Sequence, residues 1–151
     1  MQSKVCVLLL AALVSSVASA PEKSSRVINP YVDMKVTRDF WGAWRYCESQ
    51  GMQMPTITSD VDFNNYRLAI SADMNGNWWI GAVDFGASPG SFVWITNGKG
   101  VSSPSGYTNW YPNEPNNLNG VERCMELRTQ FWNDADCSLQ RNVVCQQKTT
   151  C

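Results

Sequence analysis

Residues 113–145 read NEPNNLNGVERCMELRTQFWNDADCSLQRNVVC. Five of its side chains, three carboxylates and two carboxamides, are candidate ligands in what reads as loop and loop-edge sequence framed by cysteines: Glu114, Asn116, Glu122, Asn133 and Asp134. Hard oxygen donors of this kind are the ligands that Ca²⁺ prefers. The two asparagines also keep NH₂ groups that remain free to bind something else. The segment therefore predicts a calcium site that can hydrogen-bond a second molecule.

The first 20 residues have the pattern of a secretory signal and predict a secreted, extracellular protein. Lys4 supplies a positive amino-terminal region, residues 5–14 are apolar, and small residues end the segment. Cleavage after Ala20 and cleavage after Ala18 both fit the small-residue rule, although Pro21 makes the first awkward. The alternative is a membrane anchor, but the apolar run is far shorter than the roughly 20 residues that a span requires. We therefore expect no membrane insertion.

About 130 residues remain after such a cleavage, which is the length of one domain. We expect a flexible lead-in over residues 21–30, the folded domain over residues 31–147, and a short tail over residues 148–151. The whole chain has 12 basic and 13 acidic residues, and removal of Lys4 with the signal leaves a net charge of −2. No basic stripe is visible, so nucleic acid is excluded as an expected partner.

The absence of histidine and the number of cysteines further restrict the catalytic and metal-binding functions that the chain can have. The chain has no histidine, which removes Ser-His and Cys-His nucleophile pairs and the usual catalytic zinc ligands. Cys6 leaves with the signal and five cysteines stay, of which four are expected to pair outside the cell. Any four cysteines allow three pairings. Cys151, at the end of a polar tail, is the natural unpaired one, either free or capped, or bridging two chains as a disulfide-linked homodimer.

Two helices are predicted in the first half of the chain. Thr37 reads as the N-cap of the first, which places Phe40, Trp44 and Cys47 on one buried face and ends at Gly51. Ser59 reads as the N-cap of the second, with Asp62 completing an imperfect capping box. The apolar face of the second helix consists of Phe63, Tyr66 and Ile70, and the helix ends before Asn75-Gly76.

Short strands are predicted around these helices, over residues 31–36, 78–83, 92–95, 124–127, 131–132 and 142–146. Gly81 allows close backbone approach in the second of them. Residues 97–119 have little periodicity and predict a long loop, which its aromatic residues Trp110 and Tyr111 mark as packed.

These features occur in an order that resembles the C-type lectin-like domain over residues 36–146. The matching pieces are a cysteine-bearing first helix, Trp79-Ile80-Gly81, Trp94, Asn109-Trp110, Glu114-Pro115-Asn116, Glu122-x-Cys124, Trp132-Asn133-Asp134-x-x-Cys137 and Val143-Val144-Cys145. The resemblance implies an α+β fold with two helices, two small antiparallel sheets and a long calcium-binding loop. It also implies the disulfides Cys47–Cys145 and Cys124–Cys137, the first closing a loop worth about 4–5 kcal/mol in the chain-entropy model.

The resemblance further implies that Glu114, Asn116, Glu122, Asn133 and Asp134 hold one Ca²⁺ and bind a sugar through it. With three carboxylates, we expect calcium affinity in the range of extracellular modules, roughly 10⁻⁴–10⁻³ M. A cis bond before Pro115 is implied as well. The order Glu then Asn at 114 and 116 resembles the mannose-type motif, which selects hydroxyls arranged like the 3- and 4-hydroxyls of mannose, glucose, N-acetylglucosamine or fucose.

A second calcium position is expected to be weak or empty. The residues matching it are Asp84, Ser88, Asn117 and Arg123, of which only Asp84 keeps a carboxylate. Five tryptophans are expected in the core rather than on a sugar platform: Trp44, Trp79, Trp94, Trp110 and Trp132. Tyr111 and Leu118, on the loop, remain candidates for ligand contact.

The sequence thus predicts a secreted lectin without catalytic activity that recognises or agglutinates microbial surface sugars in innate immunity. The first alternative is a domain of the same fold that binds a protein partner. The second is a hydrolase using paired carboxylates. The hydrolase is disfavoured because Glu114, Glu122 and Asp134 are better explained as metal ligands.

Overall fold

The structure is a computed structural model that describes residues 29–86 and 90–148. The signal-like segment, most of the lead-in, Ser88 and Cys151 lie outside the described residues, so their predicted roles stay predictions. The strands are β1 (Tyr31–Arg38), β2 (Met52–Gln53), β3 (Trp78–Asp84), β4 (Phe92–Trp94), β5 (Glu122–Arg128), β6 (Phe131–Asp136) and β7 (Arg141–Gln147), and the helices are α1 (Phe40–Ser49) and α2 (Asp60–Ala69). No helix among the described residues is long and apolar enough to cross a membrane.

The N-cap of helix α1 lies two residues after the predicted one. Asp39 is the N-cap, and its side chain accepts a hydrogen bond from the Gly42 amide. The prediction of Thr37 is wrong because strand β1 continues through it, pairing Thr37 with Asn142 of β7. The helix ends as expected, with Gly51 at a positive φ of 70°, a backbone conformation that glycine adopts without strain.

The buried face of α1 consists of Phe40, Ala43 and Cys47. Trp44 was expected on this face, but 40% of its surface is exposed. Its indole packs instead against the edge of Trp41, with ring centroids 6.2 Å apart. The face thus follows an i, i+3, i+7 spacing, which turns residue 44 toward solvent.

Helix α2 begins at its predicted cap, but it ends at Ala69, and a short 3-10 helix over Ser71–Asp73 follows before Asn75-Gly76. The Ser59 hydroxyl accepts a hydrogen bond from the Asp62 amide at 3.1 Å. The Asp62 carboxylate does not return to Ser59 but accepts from the amide and hydroxyl of Thr58, each at 3.0 Å, so the capping box is incomplete as expected. Phe63, Tyr66 and Ile70 are buried.

The seven strands form one connected sheet in the order β1-β7-β3-β5-β6, with β2 added to β7 and β4 to β3. All pairings are antiparallel except that between β3 and β7, which consists of the single parallel bridge Trp78↔Asn142. The two small antiparallel sheets predicted from the sequence are therefore two antiparallel groups joined at one point.

Strand β3 lies at the centre and is buried along its whole length. Its side chains alternate between two core clusters, since Trp78, Ile80 and Ala82 belong to one and Trp79 and Val83 to the other. A Cβ atom added at Gly81 would lie 2.7 Å from both the Cβ of Met54 and the carbonyl oxygen of Pro55. Glycine is therefore required for the residue 54–55 backbone to approach the strand.

Two disulfides connect the elements, joining Cys47 to Cys145 and Cys124 to Cys137. The first ties α1 to β7 across 98 positions, and the second ties β5 to the segment that follows β6. Both belong to the cluster that contains Trp79. Closing the longer loop removes chain entropy from the unfolded state.

The long loop between β4 and β5 is packed, as its aromatic residues predicted. Trp132 of β6 donates its amide to the carbonyl oxygen of Asn109 at 2.8 Å and accepts from the amide of Tyr111 at 2.9 Å. Trp110, half-buried, packs against Phe92 and Trp132 with ring centroids 5.1 and 5.8 Å apart. Trp79, Trp94 and Trp132 are fully buried, so Trp44 is the exception among the predicted core tryptophans. This anchoring fixes where residues 113–117 leave the body of the domain.

Candidate functional site

The five predicted ligand residues lie where the long loop returns to the sheet, and we call them the rim site: Glu114, Asn116, Glu122, Asn133 and Asp134. Glu114 and Asn116 lie on the loop, flanking a cis peptide bond at Pro115. Glu122 begins β5, while Asn133 and Asp134 lie within β6. The sequence suggested loop edges for the last two, but pairing with Glu126 and Met125 of β5 holds them in a strand, despite their low strand propensity.

Asp134 fixes the loop to the sheet. The residue is 1% exposed, and its two carboxylate oxygens accept hydrogen bonds from the amides of Asn116 at 3.2 Å and Asn117 at 2.7 Å. Asn117 adopts a left-handed backbone with φ 48° and ψ 52°, which asparagine tolerates better than most residues. Through these contacts Asp134 determines the path of the loop that carries Glu114 and Asn116.

Glu114 and Asn116 are paired with each other. One Glu114 oxygen accepts from the Asn116 side-chain amide at 2.9 Å, and the other accepts from the Asn116 backbone amide at 3.1 Å. One Nδ2 hydrogen of Asn116 therefore remains for a ligand. Desolvation, followed by the hydrogen bond and the negative charge of Asp134, raises the pKa of Glu114 to about 7.

Glu122 closes the other side of the rim site. Its carboxylate accepts from the Leu118 amide at 2.9 Å, and its own amide donates to the side-chain oxygen of Asn117 at 3.1 Å. Its pKa is raised by desolvation and by the charges of Asp134 and Glu126, although the Leu118 amide and Arg128 act in the opposite direction. Glu114 and Glu122 thus lie in surroundings that disfavour negative charge.

The side chain of Asn133 is oriented by the buried ion pair between Glu126 and Arg141. Its Nδ2 group donates to Glu126 at 3.1 Å and also to the backbone carbonyl oxygen of Asp134. Glu126 is 2% exposed and forms a salt bridge with Arg141, whose guanidinium lies 5.9 Å from the ring centroid of Trp79. Both Nδ2 hydrogens of Asn133 are therefore used within the protein, contrary to the expectation that this NH₂ group is free.

Sequence reasoning missed Glu126 and Arg141. Glu126 lies four residues after Glu122 in β5, beyond an irregularity in the pairing with β6 between Glu122 and Cys124. The charged residue in the run Cys124–Leu127 was the available signal, because an acid in a buried strand requires a partner.

The second calcium position of the family, expected here to be weak or empty, contains an ion pair between Asp84 and Arg123. Asp84 is buried, and one of its oxygens accepts from Arg123 at 3.0 Å and from the Gly90 amide at 2.9 Å. The other oxygen accepts from the Gly86 amide at 2.7 Å. Burial alone acts to raise the pKa of Asp84, but these amides and the guanidinium hold it below its usual value. The protein's own cation thus satisfies the carboxylate.

The donor set of the rim site fits Ca²⁺, since all its candidate ligand atoms are carboxylate or carboxamide oxygens. Among residues 29–86 and 90–148, no three His, Cys, Asp or Glu side chains form a ready-made metal cluster. A cation held here would need the carboxamide oxygens of Asn116 and Asn133 as well as the carboxylates. Tyr111 and Leu118 flank the site with exposed fractions of 50% and 59%.

The fold is that of a carbohydrate-binding module. Residues 36–147 match the family model of the lectin C-type domain, and the chain therefore belongs to the C-type lectin family. Since the family and fold are those of non-enzymatic carbohydrate-binding modules, the protein is a lectin and not an enzyme.

Similar proteins agree with this assignment. The chain is 31% identical to salivary C-type lectin 2 of Aedes albopictus over 93% of its own length and 97% of that protein. It is 33% identical to C-type mannose receptor 2 of Mus musculus over 70% of its length, where it spans 7% of that receptor. The crystal structure of the cow CD23 C-type carbohydrate-recognition domain, determined in the presence of GlcNAc2Man3 oligosaccharide, superposes with a TM-score of 0.64. That domain is 26% identical, over 80% of this chain and 87% of its own.

Proposed function

We propose that this protein is a secreted, calcium-dependent lectin that binds mannose-type glycans through the rim site. The observation that carries the proposal is the convergence of Glu114, Asn116, Glu122, Asn133 and Asp134 from one loop and two strands. Within the described residues, no arginine or lysine forms a salt bridge with the three carboxylates of this set. A cation from solvent therefore completes the site electrostatically.

When bound there, Ca²⁺ supplies coordination positions that two neighbouring sugar hydroxyls can fill. Glu114 and Glu122 would then accept hydrogen bonds from those hydroxyls, and the remaining Nδ2 hydrogen of Asn116 would be donated in a hydrogen bond to one of them. Asn133 contributes its carboxamide oxygen to the cation and can donate to a hydroxyl after releasing the carbonyl oxygen of Asp134. The order Glu then Asn at 114 and 116, which resembles the mannose-type motif, supports a preference for hydroxyls arranged like the 3- and 4-hydroxyls of mannose, glucose, N-acetylglucosamine or fucose.

Binding to a single shallow site of this kind is weak, so useful avidity requires several sites that engage one surface. An interchain disulfide through Cys151 would supply two sites. The signal-like residues 1–20 support secretion, as do the two disulfides. Recognition or agglutination of microbial surface sugars in innate immunity is the biological role that we infer from this combination.

The test is retention on immobilised mannose in calcium, followed by elution with EDTA. Retention that EDTA reverses supports the proposal. Failure of the folded protein to be retained in calcium, or retention that EDTA does not affect, contradicts it.

Asn133→Ala sharpens the same experiment, since it removes a candidate ligand oxygen and an amide next to the site. We expect this variant to lose calcium-dependent retention. Asn97→Ala, on a distant turn, is the matched control and should be retained like the wild type. Equal retention of both variants would show that the rim site is not the binding site.

A protein partner is the second candidate function. The observation that favours it is an exposed aromatic surface formed by Trp41, Trp44 and Phe85, with exposed fractions of 42%, 40% and 73%. Exposed apolar groups gathered on one surface are typical of interaction sites. A glycan array with and without chelator separates the two functions, because protein binding at this surface would not respond to calcium removal.

A further inference from the structure

A cavity opens beside the rim site on the side of the turn between β5 and β6. It is lined by Tyr111, Glu114, Arg128, Thr129 and Asn133 and has a volume of about 260 Å³. This is just below the roughly 300–1,000 Å³ of typical small-molecule pockets. The cavity therefore has room for one sugar unit or one substituent next to a sugar held at the rim site, since Glu114 and Asn133 belong to both.

Arg128 supplies the charge of this cavity. Its side chain is exposed, and its guanidinium forms no salt bridge or hydrogen bond with any residue that the structure describes. By contrast, Arg123 and Arg141 are each paired with a buried carboxylate. A planar guanidinium with unused donors binds sulfate and carboxylate groups through two parallel hydrogen bonds.

The wall of the cavity is held in an unusual backbone conformation. Thr129 and Gln130 form the two-residue turn between Arg128 and Phe131, with φ values of 45° and 77°. Turns of this type strongly favour Asn-Gly, and a β-branched residue in the left-handed region is an outlier. Conformations of this kind cluster at ligand-binding positions. The strained turn fixes the end of β5 from which Arg128 extends.

Tyr111 forms the opposite wall. Half of its surface is exposed, and its ring meets the edge of Phe131 with centroids 5.7 Å apart. Its amide is bonded to the carbonyl oxygen of Trp132 at 2.9 Å. The ring is thus a preorganised flat surface on which the apolar face of a sugar ring can lie.

We propose that this cavity is a subsite for an anionic substituent, a sulfate ester or a carboxylate, on the sugar unit next to the one bound at the rim site. The proposal rests on the proposed function, because the rim site orients the glycan. The three rim carboxylates with one Ca²⁺ leave a net charge near −1, which repels an anion. Among the described residues, Arg128 is the one cation that lines the cavity, so it offsets that charge where an acidic group would lie.

Titration calorimetry in saturating calcium tests the subsite with three disaccharides that share a terminal mannose. The second unit is neutral in the first, carries a sulfate ester in the second and carries a carboxylate in the third. We expect the wild type to bind an anionic disaccharide about fivefold tighter than the neutral one, as a charge-assisted bidentate contact at a partly exposed site implies. A preference for only one anion also supports the subsite and identifies its ligand.

Arg128→Gln should bring the anionic and neutral affinities to parity, and Arg128→Lys should keep part of the preference because it retains the charge without the fork. Arg45→Gln, exposed on α1, is the matched control and should keep the wild-type ratio. The preference should also shrink at high salt, where exposed charges are screened. Parity in the wild type, or an unchanged ratio in Arg128→Gln, overturns the subsite.

The neutral disaccharide separates this inference from the proposed function. Calcium-dependent binding of the neutral sugar without an anionic preference overturns the subsite alone, whereas failure to bind any of the three sugars overturns both. NMR provides a readout independent of affinity. The Arg128 Nε–H resonance should shift with the anionic disaccharide more than with the neutral one, and the Arg45 resonance should not shift with either.

Discussion

The carboxylates of this domain lie in two contrasting regions. In the interior, Asp84 and Glu126 are each paired with an arginine, Arg123 and Arg141. At the rim site, Glu114, Glu122 and Asp134 receive backbone amides, but none forms a salt bridge within the described residues. The fold supplies the interior carboxylates with a counter-charge, and among the described residues it supplies none by salt bridge to those of the rim site.

The pKa directions follow the same division. The amides of Gly86 and Gly90 and the Arg123 guanidinium overcome burial and hold the pKa of Asp84 below its usual value. Desolvation and the neighbouring Asp134 raise the pKa of Glu114 to about 7. The two buried acids Asp84 and Glu126 are thus compensated within the protein, whereas Glu114 lies where a cation from solvent could compensate it. This contrast is the reason that we expect one calcium site rather than two.

Of the three changes considered, replacing the arginine of the more deeply buried Glu126–Arg141 pair should have the largest effect on stability. Arg141→Met leaves Glu126 buried without its counter-charge, and breaking a buried pair in this way costs about 3–5 kcal/mol. Urea unfolding without calcium measures the loss. Combining Arg141→Met with Glu126→Leu should recover most of the stability, because no charge is then left unpaired. A single variant as stable as the wild type would show that Asn133 and solvent suffice to satisfy Glu126.

Replacing the arginine of the Asp84–Arg123 pair, which is nearer the surface, should lower stability by a smaller amount. Arg123→Met should lower the free energy of unfolding by about 1–2 kcal/mol, since Asp84 keeps two amide donors. Lys148→Met is the matched control. It breaks an ion pair with Glu48 of 2.7 Å whose partners are 46% and 41% exposed, and such pairs contribute about 0–1 kcal/mol. If both variants lose the same stability, burial does not distinguish the two pairs.

Exchanging the hydrogen-bond donor and acceptor at residues 114 and 116 should change free energy least of the three changes. Its effect is expected on the choice between sugars. Glu114→Gln with Asn116→Asp exchanges acceptor and donor while allowing a hydrogen bond between the two side chains to persist. We expect preference to move from mannose toward galactose by about 1 kcal/mol, the size of one net hydrogen bond. Competition binding in calcium measures it. An unchanged mannose preference would contradict the proposed arrangement of donors and acceptors.

Much of the fold was predictable because its signals are local or are carried by a family pattern. The Ser59 cap, the Gly51 terminus and the β3 strand follow from residues within a few positions of each other. Thr37 was misassigned as a cap because a residue 105 positions away, Asn142, pairs with it and extends β1. Trp44 was misplaced because spacing along a helix does not specify where the buried face ends.

The sequence by itself determined which atoms are present at the rim site: three carboxylates, two carboxamides and no histidine. It could not determine which acids would find a counter-charge within the protein, because that depends on strands brought together from distant parts of the chain. Tertiary structure placed Arg123 on Asp84 and Arg141 on Glu126 and left Glu114 without an arginine. Charge is a property of residue types, but its compensation requires proximity in space, and folding alone creates that proximity.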